Sequence, residues 1–387
     1  MQNKESIYTL QFFLLCLSSV LFMGSFNMII PELPNYLTSL GGAEYKGLII
    51  SLFTVTAGLS RPFSGKMADT VGRMPVMVVG VLVCIVIGVL YPVLNSILGF
   101  FLLRLIHGFS TGFKPTGTTA YLADIVPDKK RGEALGILGV SGSLGMASGP
   151  VLGSYIAAEY GTDIMFYSSS VVALLSILIL AGMKETLEIK EKFSAKTFKI
   201  NFSDVYDPTV LGPSVVMLLT TFSFGSILTL VPDKSDFLEV SNRGLFFSFM
   251  LVSSIGIRLI AGRASDIYGR RNLLYFGTLI LATGMAIVAF SETTFWFFTG
   301  AIVLGISVGV NSPTVFAWTV DLADPKHRGR AMATMYIALE IGVGLGAFIS
   351  GFIYNNNQGY FIYAFLLCSL LAVAAFIQLL VTKPKHK

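Results

Sequence analysis

The chain has 387 residues, 54% of them hydrophobic and only 13% charged, with a mean hydropathy of +0.75. That is too little charge to cover a soluble protein of this length. The net charge of +5 and the pI near 9.0 do not point to nucleic acid, because the basic residues are scattered over short segments without interleaved aromatics. Apolar runs of roughly 20 residues, the length that crosses about 30 Å of hydrocarbon as helix, recur from end to end.

These runs specify an all-α, multi-pass membrane protein. The first, residues 7–30, is too long for a signal-peptide core and lacks a small-residue cleavage site, so it is read as a retained helix. Breaks at Pro, Gly and Asn clusters and at charge groups give twelve helices. They cover 7–30, 45–66, 75–93, 97–123, 132–157, 163–183, 208–231, 243–263, 272–290, 294–319, 329–353 and 359–382. Cys16, Cys84 and Cys368 all lie inside apolar runs and suggest neither a disulfide framework nor a metal site.

Numbering the loops alternately puts most of the 27 Lys and Arg on the side that holds both termini and the even-numbered loops. The other side keeps Lys46, Lys234 and Arg243, while Arg104 and Lys114 lie within helix 4. The positive-inside rule then places both termini in the cytoplasm. The long hydrophilic stretch 184–207 divides the helices six and six, giving an N-terminal bundle 1–183, a cytoplasmic linker 184–207 and a C-terminal bundle 208–387.

The two halves repeat. One register aligns "GKMADTVGRMP" (65–75) with "GRASDIYGRRN" (262–272) and "AYLADIVPDKKRGEALG" (120–136) with "AWTVDLADPKHRGRAMA" (317–333). Asp124 meets Asp321, and Arg131–Gly132 meets Arg328–Gly329. Two parallel six-helix repeats related by a pseudo-twofold, with a binding site between them, are a transporter architecture.

Here the sequence resembles the major facilitator superfamily over essentially its whole length. "GKMADTVGRM" resembles that superfamily's loop 2–3 signature, with Met74 departing at the last position, and "GRASDIYGRR" keeps all of it. "RLIHG" (104–108) resembles the Arg-containing helix 4 motif of the drug:proton antiporter families, and "GMASGPVLGS" (145–154) resembles their helix 5 motif, with Ser154 in place of its last glycine.

Electrostatics gives the signature a reading. Asp69 can face the positive end of a neighbouring helix, and Arg73 can pair with Asp124; Asp266, Arg270 and Asp321 repeat the set. The resemblance implies that these latches hold the cytoplasmic side shut and break on opening; otherwise they are topological anchors at the membrane edge. Gly145, Gly149 and Gly153, with Pro150, let helix 5 pack closely or bend. The family reading adds that this helix blocks a proton leak.

Helix 4 carries a polar stripe of Arg104, His107, Thr111, Lys114, Thr118 and Tyr121, spaced to share an arc of roughly 100°. Arg104 can snorkel to the outer interface, whereas Lys114 is too deep and is expected to face a wet cavity or a partner. In the repeat, Asn311 on helix 10 answers Lys114 and Trp318 answers Tyr121. Glu340, in helix 11 beyond Tyr336, is the one acid deep within an expected span. The candidate cavity residues are therefore Asn27, His107, Lys114, Tyr121, Asn311, Trp318, Tyr336 and Glu340. Each also has a plainer reading as a packing or hydrogen-bonding residue. Antiporters of this type commonly carry an acid in helix 1, where this chain has Asn27, so the proton-coupling candidates are Glu340 with Arg104 or His107.

The leading expectation is a proton-coupled exporter of small amphipathic organic molecules, including drugs. The alternative is a transporter, possibly inward, of an anionic or zwitterionic metabolite held by Lys114 and Arg104. No nucleophile elbow, P-loop or metal cluster appears, which argues against an enzyme. The expected partners are a small-molecule substrate, protons or another coupling ion, and the lipid bilayer. Neither nucleic acid, cofactor nor metal is expected. The protein is expected to act as a monomer in a bacterial inner membrane.

Overall fold

The computed structural model describes residues 7–127, 130–187, 205–324 and 328–381, with the backbone alone described at Gly132, Leu259, Arg263, Arg328 and Gly329. Most of the expected linker, both chain ends and the Arg328 side chain of the Arg328–Gly329 pair therefore lie outside what is described. Among those described, twelve helices of 18 residues or more follow one another without a strand. They are α1 (Leu10–Ile29), α2 (Leu48–Thr70), α3 (Arg73–Leu90), α4 (Ile97–Ile125), α5 (Arg131–Tyr160) and α6 (Thr162–Ala181). Then come α7 (Leu211–Phe237), α8 (Leu245–Tyr268), α9 (Arg270–Ala289), α10 (Thr294–Leu322), α11 (Arg328–Tyr354) and α12 (Phe361–Val381). Nine are long and apolar enough to cross a membrane, or ten when α8 counts as one bent span. The other two, α2 and α4, have the length, but charged residues inside them lower their hydropathy.

Several boundaries differ from expectation, and proline explains two of them. Pro31 does not end the helical path after α1: a 3-10 turn Ile30–Glu32 and a short helix Leu33–Ser39 continue it. Pro31 and Pro34 each sit in the first turn of a new segment, where the missing N–H costs no hydrogen bond. Likewise α7 runs through Pro232 to Phe237, so Asp233, Lys234 and Asp236 are helical residues rather than loop residues. The signature between α2 and α3 is mostly helix as well, with Val71 and Gly72 alone outside it. Gly72 has φ +142° and its repeat Gly269 has φ +86°, conformations that a side chain would strain.

The chain forms two compact units, one of Met1–Glu32 and Thr56–Ile200, the other of Leu33–Val55 and Asn201–Lys387. Inside the first, α5 lies backbone to backbone on α1. A Cβ on Gly145 would overlap the carbonyl oxygen of Val20, one on Gly149 that of Gly24, and one on Gly153 that of Met28. Inside the second, α11 lies on α7 in the same way: a Cβ on Gly342 would meet Leu218 O and one on Gly346 would meet Phe222 O. This second seam repeats Gly145 and Gly149 in the shared register of the two halves. Small residues of this kind let membrane helices approach closely enough for dispersion to hold them.

The core of unit 1 is set by α4. Gly112 rests on Ser60 and Ala57 of α2, and Gly80 of α3 rests on the backbone of Lys114. Gripped on both sides, α4 turns its polar stripe inward: Arg104, His107, Lys114, Thr118 and Tyr121 are all buried. Replacing Gly149 by Val is expected to overpack the α1–α5 seam and lower the thermal stability of the purified protein by about 1–3 kcal/mol. Gly139→Ala, inside the same helix at a position with nothing within 4 Å, serves as the control and should not lower the melting temperature.

Candidate functional site

Each unit contains one charge cluster of the same design. In unit 1, Arg73 Nε donates to Asp124 Oδ2 at 3.1 Å, and its Nη1 lies 3.1 Å from Asp69 Oδ1 and donates to the Ala68 carbonyl. In unit 2, Arg270 Nε donates to Asp321 Oδ2 at 2.9 Å, while its Nη1 pairs with Asp266 and donates to Ser265 Oγ at 2.7 Å. One arginine at the start of α3 or α9 thus bridges the end of the preceding helix to the end of α4 or α10. The Asp69 side chain is 72% exposed, so the pair it forms is worth only about 0.2–1 kcal/mol. Bonds this weak can break and re-form without a large energetic penalty.

Among the described residues, a carboxylate that sits on a helix N-terminus is that of Glu185. Glu185, just beyond α6, accepts from the backbone N–H groups of Arg73 and Met74, each at 3.0 Å, and so caps α3. Any side chain at Gly72 would collide with this carboxylate, a second reason for glycine there. Next to it, Thr186 donates to Asp124 Oδ2 at 2.6 Å, which ties the segment after α6 into the Arg73 cluster. Burial pushes the Glu185 carboxyl up, but hydrogen bonds from the N–H groups of Leu187, Arg73, Met74 and Thr186 outweigh it and hold the group below the usual glutamate range.

On α4 the stripe separates into two environments. Arg104 is 0% exposed and its Nη1 donates to the Tyr91 hydroxyl at 3.3 Å, so it does not snorkel to the interface as expected. The same hydroxyl lies 3.4 Å from His107 Nδ1, and His107 Nε2 lies 3.5 Å from Cys84 Sγ. Ser25 Oγ is 3.5 Å further along, and Ser169 Oγ donates to the Ser25 carbonyl at 2.9 Å. The result is a line of exchangeable protons through the interior of unit 1. Sequence reading found its two basic members and missed Tyr91, Cys84, Ser25 and Ser169, because lone hydroxyls and thiols in apolar runs leave no periodic signal.

Lys114 is 1% exposed, donates to Ser19 Oγ at 3.0 Å and lies 5.5 Å from the centre of the Phe22 ring. It makes no ion pair among the described residues. A neutral hydroxyl and an aromatic face offset only part of the several kcal/mol that burying an ammonium costs. Tyr121, also buried, donates its hydroxyl to the Lys184 carbonyl at 2.8 Å. Asn27 donates to Met23 O, one turn back in its own helix, at 2.8 Å.

In unit 2, Trp318 belongs to a core cluster with Val216, Met217, Leu274, Val315 and Met335, against which Tyr336 packs. Asn311 Nδ2 donates to Ser307 Oγ at 2.9 Å, facing Gly277 of α9. Glu340 is buried on α11 but is not the single deep acid that the sequence suggested. Glu32 and Asp233 are buried too, Glu32 accepting from Ser154 Oγ at 2.7 Å and Asp233 pairing with Lys46. The continued helical path past Pro31 and Pro232 draws both acids inward. Ser154, the departure from the helix 5 motif, thereby gains a partner that a glycine lacks.

A duplicated all-helical fold, with charges buried inside apolar helices and a matching charge cluster in each half, defines an integral, multi-pass membrane protein built on a repeat. The family model described as Major Facilitator Superfamily matches residues 15–257 and 214–387, and the chain belongs to that family, one of transporters and not of enzymes. It is 33% identical over 266 residues to the multi-drug resistance efflux pump PmrA of Streptococcus pneumoniae, a match that spans 65% of each chain. It is 24% identical over 350 residues to multidrug resistance protein 1 of Bacillus subtilis, with 88% of each chain covered. The crystal structure of the human organic anion transporter MFSD10 (TETRAN) superposes with a TM-score of 0.72 over 95% of this chain and 98% of that one, at 19% identity, a likeness of fold alone.

Replacing Glu185 by Ala is expected to cost about 0.5–2 kcal/mol at neutral pH, the usual range for a lost N-cap. A carboxyl held low in the folded state contributes stability that is complete above its unfolded value and is lost as pH falls through its folded one. The difference between wild type and E185A in thermal unfolding should therefore be full at pH 7 and shrink as pH drops below the usual carboxylate range.

Proposed function

We propose that the protein is a secondary active exporter of small amphipathic organic molecules, drugs among them, that works by alternating access as a proton antiporter. The observation that carries this reading is the charge cluster built twice, Asp69–Arg73–Asp124 in one unit and Asp266–Arg270–Asp321 in the other. Two weak, matched clasps suit a cycle in which one face closes as the other opens. The relatives named as multidrug efflux pumps support an organic cargo and an outward direction. In this reading the clasps gate the cytoplasmic side, both termini are cytoplasmic, and the chain acts as a monomer in a bacterial inner membrane.

Glu340 is the proposed proton carrier, because a buried carboxyl within a membrane helix marks a proton or substrate path. Arg104 and His107 modulate it. Asn27, Lys114, Tyr121, Asn311, Trp318 and Tyr336 complete the proposed cavity set. The test is efflux of ethidium from proteoliposomes with and without a pH gradient. Wild type should show gradient-driven flux, and Glu340→Gln should lose at least 90% of the gradient-dependent part. Full gradient-driven flux in E340Q would remove Glu340 from the coupling path.

Lys114, buried without a carboxylate, favours a second reading in which the cargo is an anion or zwitterion. Under it, Lys114→Ala abolishes uptake or release of a carboxylate cargo, with no effect on ethidium. Ethidium flux that K114A leaves unchanged, with no carboxylate transported by wild type, eliminates that reading.

A further inference from the structure

Unit 2 contains a polar cavity of about 660 Å³ that none of the assigned roles uses. It lies at the C-terminal ends of α7 and α11, where the segment Leu33–Val55 joins them, at the opposite end of the unit from the Arg270 cluster. Its walls include Asn35, Lys46, Asp233, Asp236, Tyr354 and Asn356. At its base Lys46 and Asp233 form an ion pair with both side chains 6% exposed. The Lys46 ammonium also donates to Asn356 Oδ1 at 2.9 Å and lies 5.8 Å from the centre of the Tyr354 ring. A carboxylate, an amide oxygen and an aromatic face gathered on one ammonium are the recognition elements for a primary amine.

Two further features separate this arrangement from a plain structural ion pair. The second oxygen of the pair, Asp233 Oδ1, is buried, and the Tyr354 hydroxyl serves the same carboxylate as a hydrogen-bond donor. The amide that completes the cradle is held deliberately: Asn355 and Asn356 have φ of +42° and +53°, a left-handed turn that asparagine tolerates better than most residues. The second acid, Asp236, is already engaged by Arg243 at 2.6 Å and Asn35 at 3.0 Å, so Asp233 is the acceptor on offer. Nearby Lys234 has its ammonium over the rings of Phe237 and Phe361, at 5.0 and 5.3 Å, and does not line the cavity.

We propose that this cavity is a binding site for primary alkylammonium groups, with Lys46 as its tethered occupant. The space is polar, open to solvent and larger than one lysine terminus fills. A side chain on a short tether competes at an effective concentration of the order of millimolar. A free amine therefore binds the wild type weakly and binds tightly once Lys46 is gone, because it then takes over the Asp233 carboxylate that would otherwise stay unpaired. Lys46 also pins the segment Leu33–Val55 to α7 and α11, so an amine that displaces it loosens that segment. The site does not rest on the cargo, direction or coupling proposed above, since binding is read on the resting protein without flux.

The test is titration of the full chain in lipid nanodiscs with butylammonium chloride, at constant ionic strength, by calorimetry and thermal unfolding. Lys46→Met is expected to bind at least 10-fold more tightly than wild type and to regain melting temperature as the amine is added. Asn356→Gly in that background, which keeps the left-handed turn and removes only the amide, should weaken binding several-fold. The double variant K46M/D233N, which buries no charge at this point, should fold and not bind. If K46M is too unstable without ligand, its rescue by butylammonium but not by sodium chloride gives the same answer. K46M binding no more tightly than wild type, D233N in the double variant binding equally well, or sodium matching butylammonium would each overturn the assignment.

Discussion

The cost of taking a charge out of water governs this structure. Inside a helical membrane protein there is little solvent to screen an ion, and each buried one needs a counter-charge or a set of hydrogen bonds. The chain meets that need in several ways. Lys46 and Asp233 neutralise each other, Glu32 takes a serine hydroxyl, Glu185 takes backbone N–H groups, and Arg73 and Arg270 bridge carboxylates at helix ends. Lys114 departs from the pattern, with a hydroxyl and a ring where an anion is needed. A departure of this kind inside a packed helix is where function concentrates, because packing alone has no use for it.

Close packing of the surrounding helices makes such burial possible. The glycines that place α5 on α1 and α11 on α7 bring backbones together, and those on α3 and α4 close the space around Lys114. The two seams differ in one informative place. Gly153 continues the first, whereas its repeat is Ser350, whose Oγ lies 2.5 Å from Ser226 Oγ. Each half therefore shares a plan but finishes it with different chemistry: steric contact in one, a hydrogen bond in the other. The charge clusters were copied more faithfully than the interiors, in keeping with a common mechanical role and distinct inner surfaces.

Much of this was legible in the sequence. Apolar run length located the helices, the shared register revealed the duplication, and helical spacing placed Arg104, His107, Lys114 and Tyr121 on one buried face. The helix ends were read less well. Pro31 and Pro232 read as helix stops, yet a proline in a first turn forfeits nothing, and one within a packed membrane helix is tolerated. A stop at Pro232 would put Asp233 and Asp236 in a loop, whereas the continued helix turns them toward Lys46. Glu185 escaped notice because a capping carboxylate is defined by where two distant segments meet, and no local pattern records that. Tyr91 and Cys84 are single polar groups in apolar runs, and only the fold brings them to His107.

On the proposed function, the lysine sealed inside α4 belongs to a path that water reaches during the working cycle. Hydrogen–deuterium exchange of the unmodified protein in nanodiscs tests it directly, by comparing the backbone around Lys114, residues 110–118, with the apolar helix α6. Exchange around Lys114 at least 10-fold faster than in α6, and faster still when ethidium is present, is the expected result. Equal and lasting protection of both stretches, with and without the dye, would show Lys114 to be a static core residue and contradict the claim.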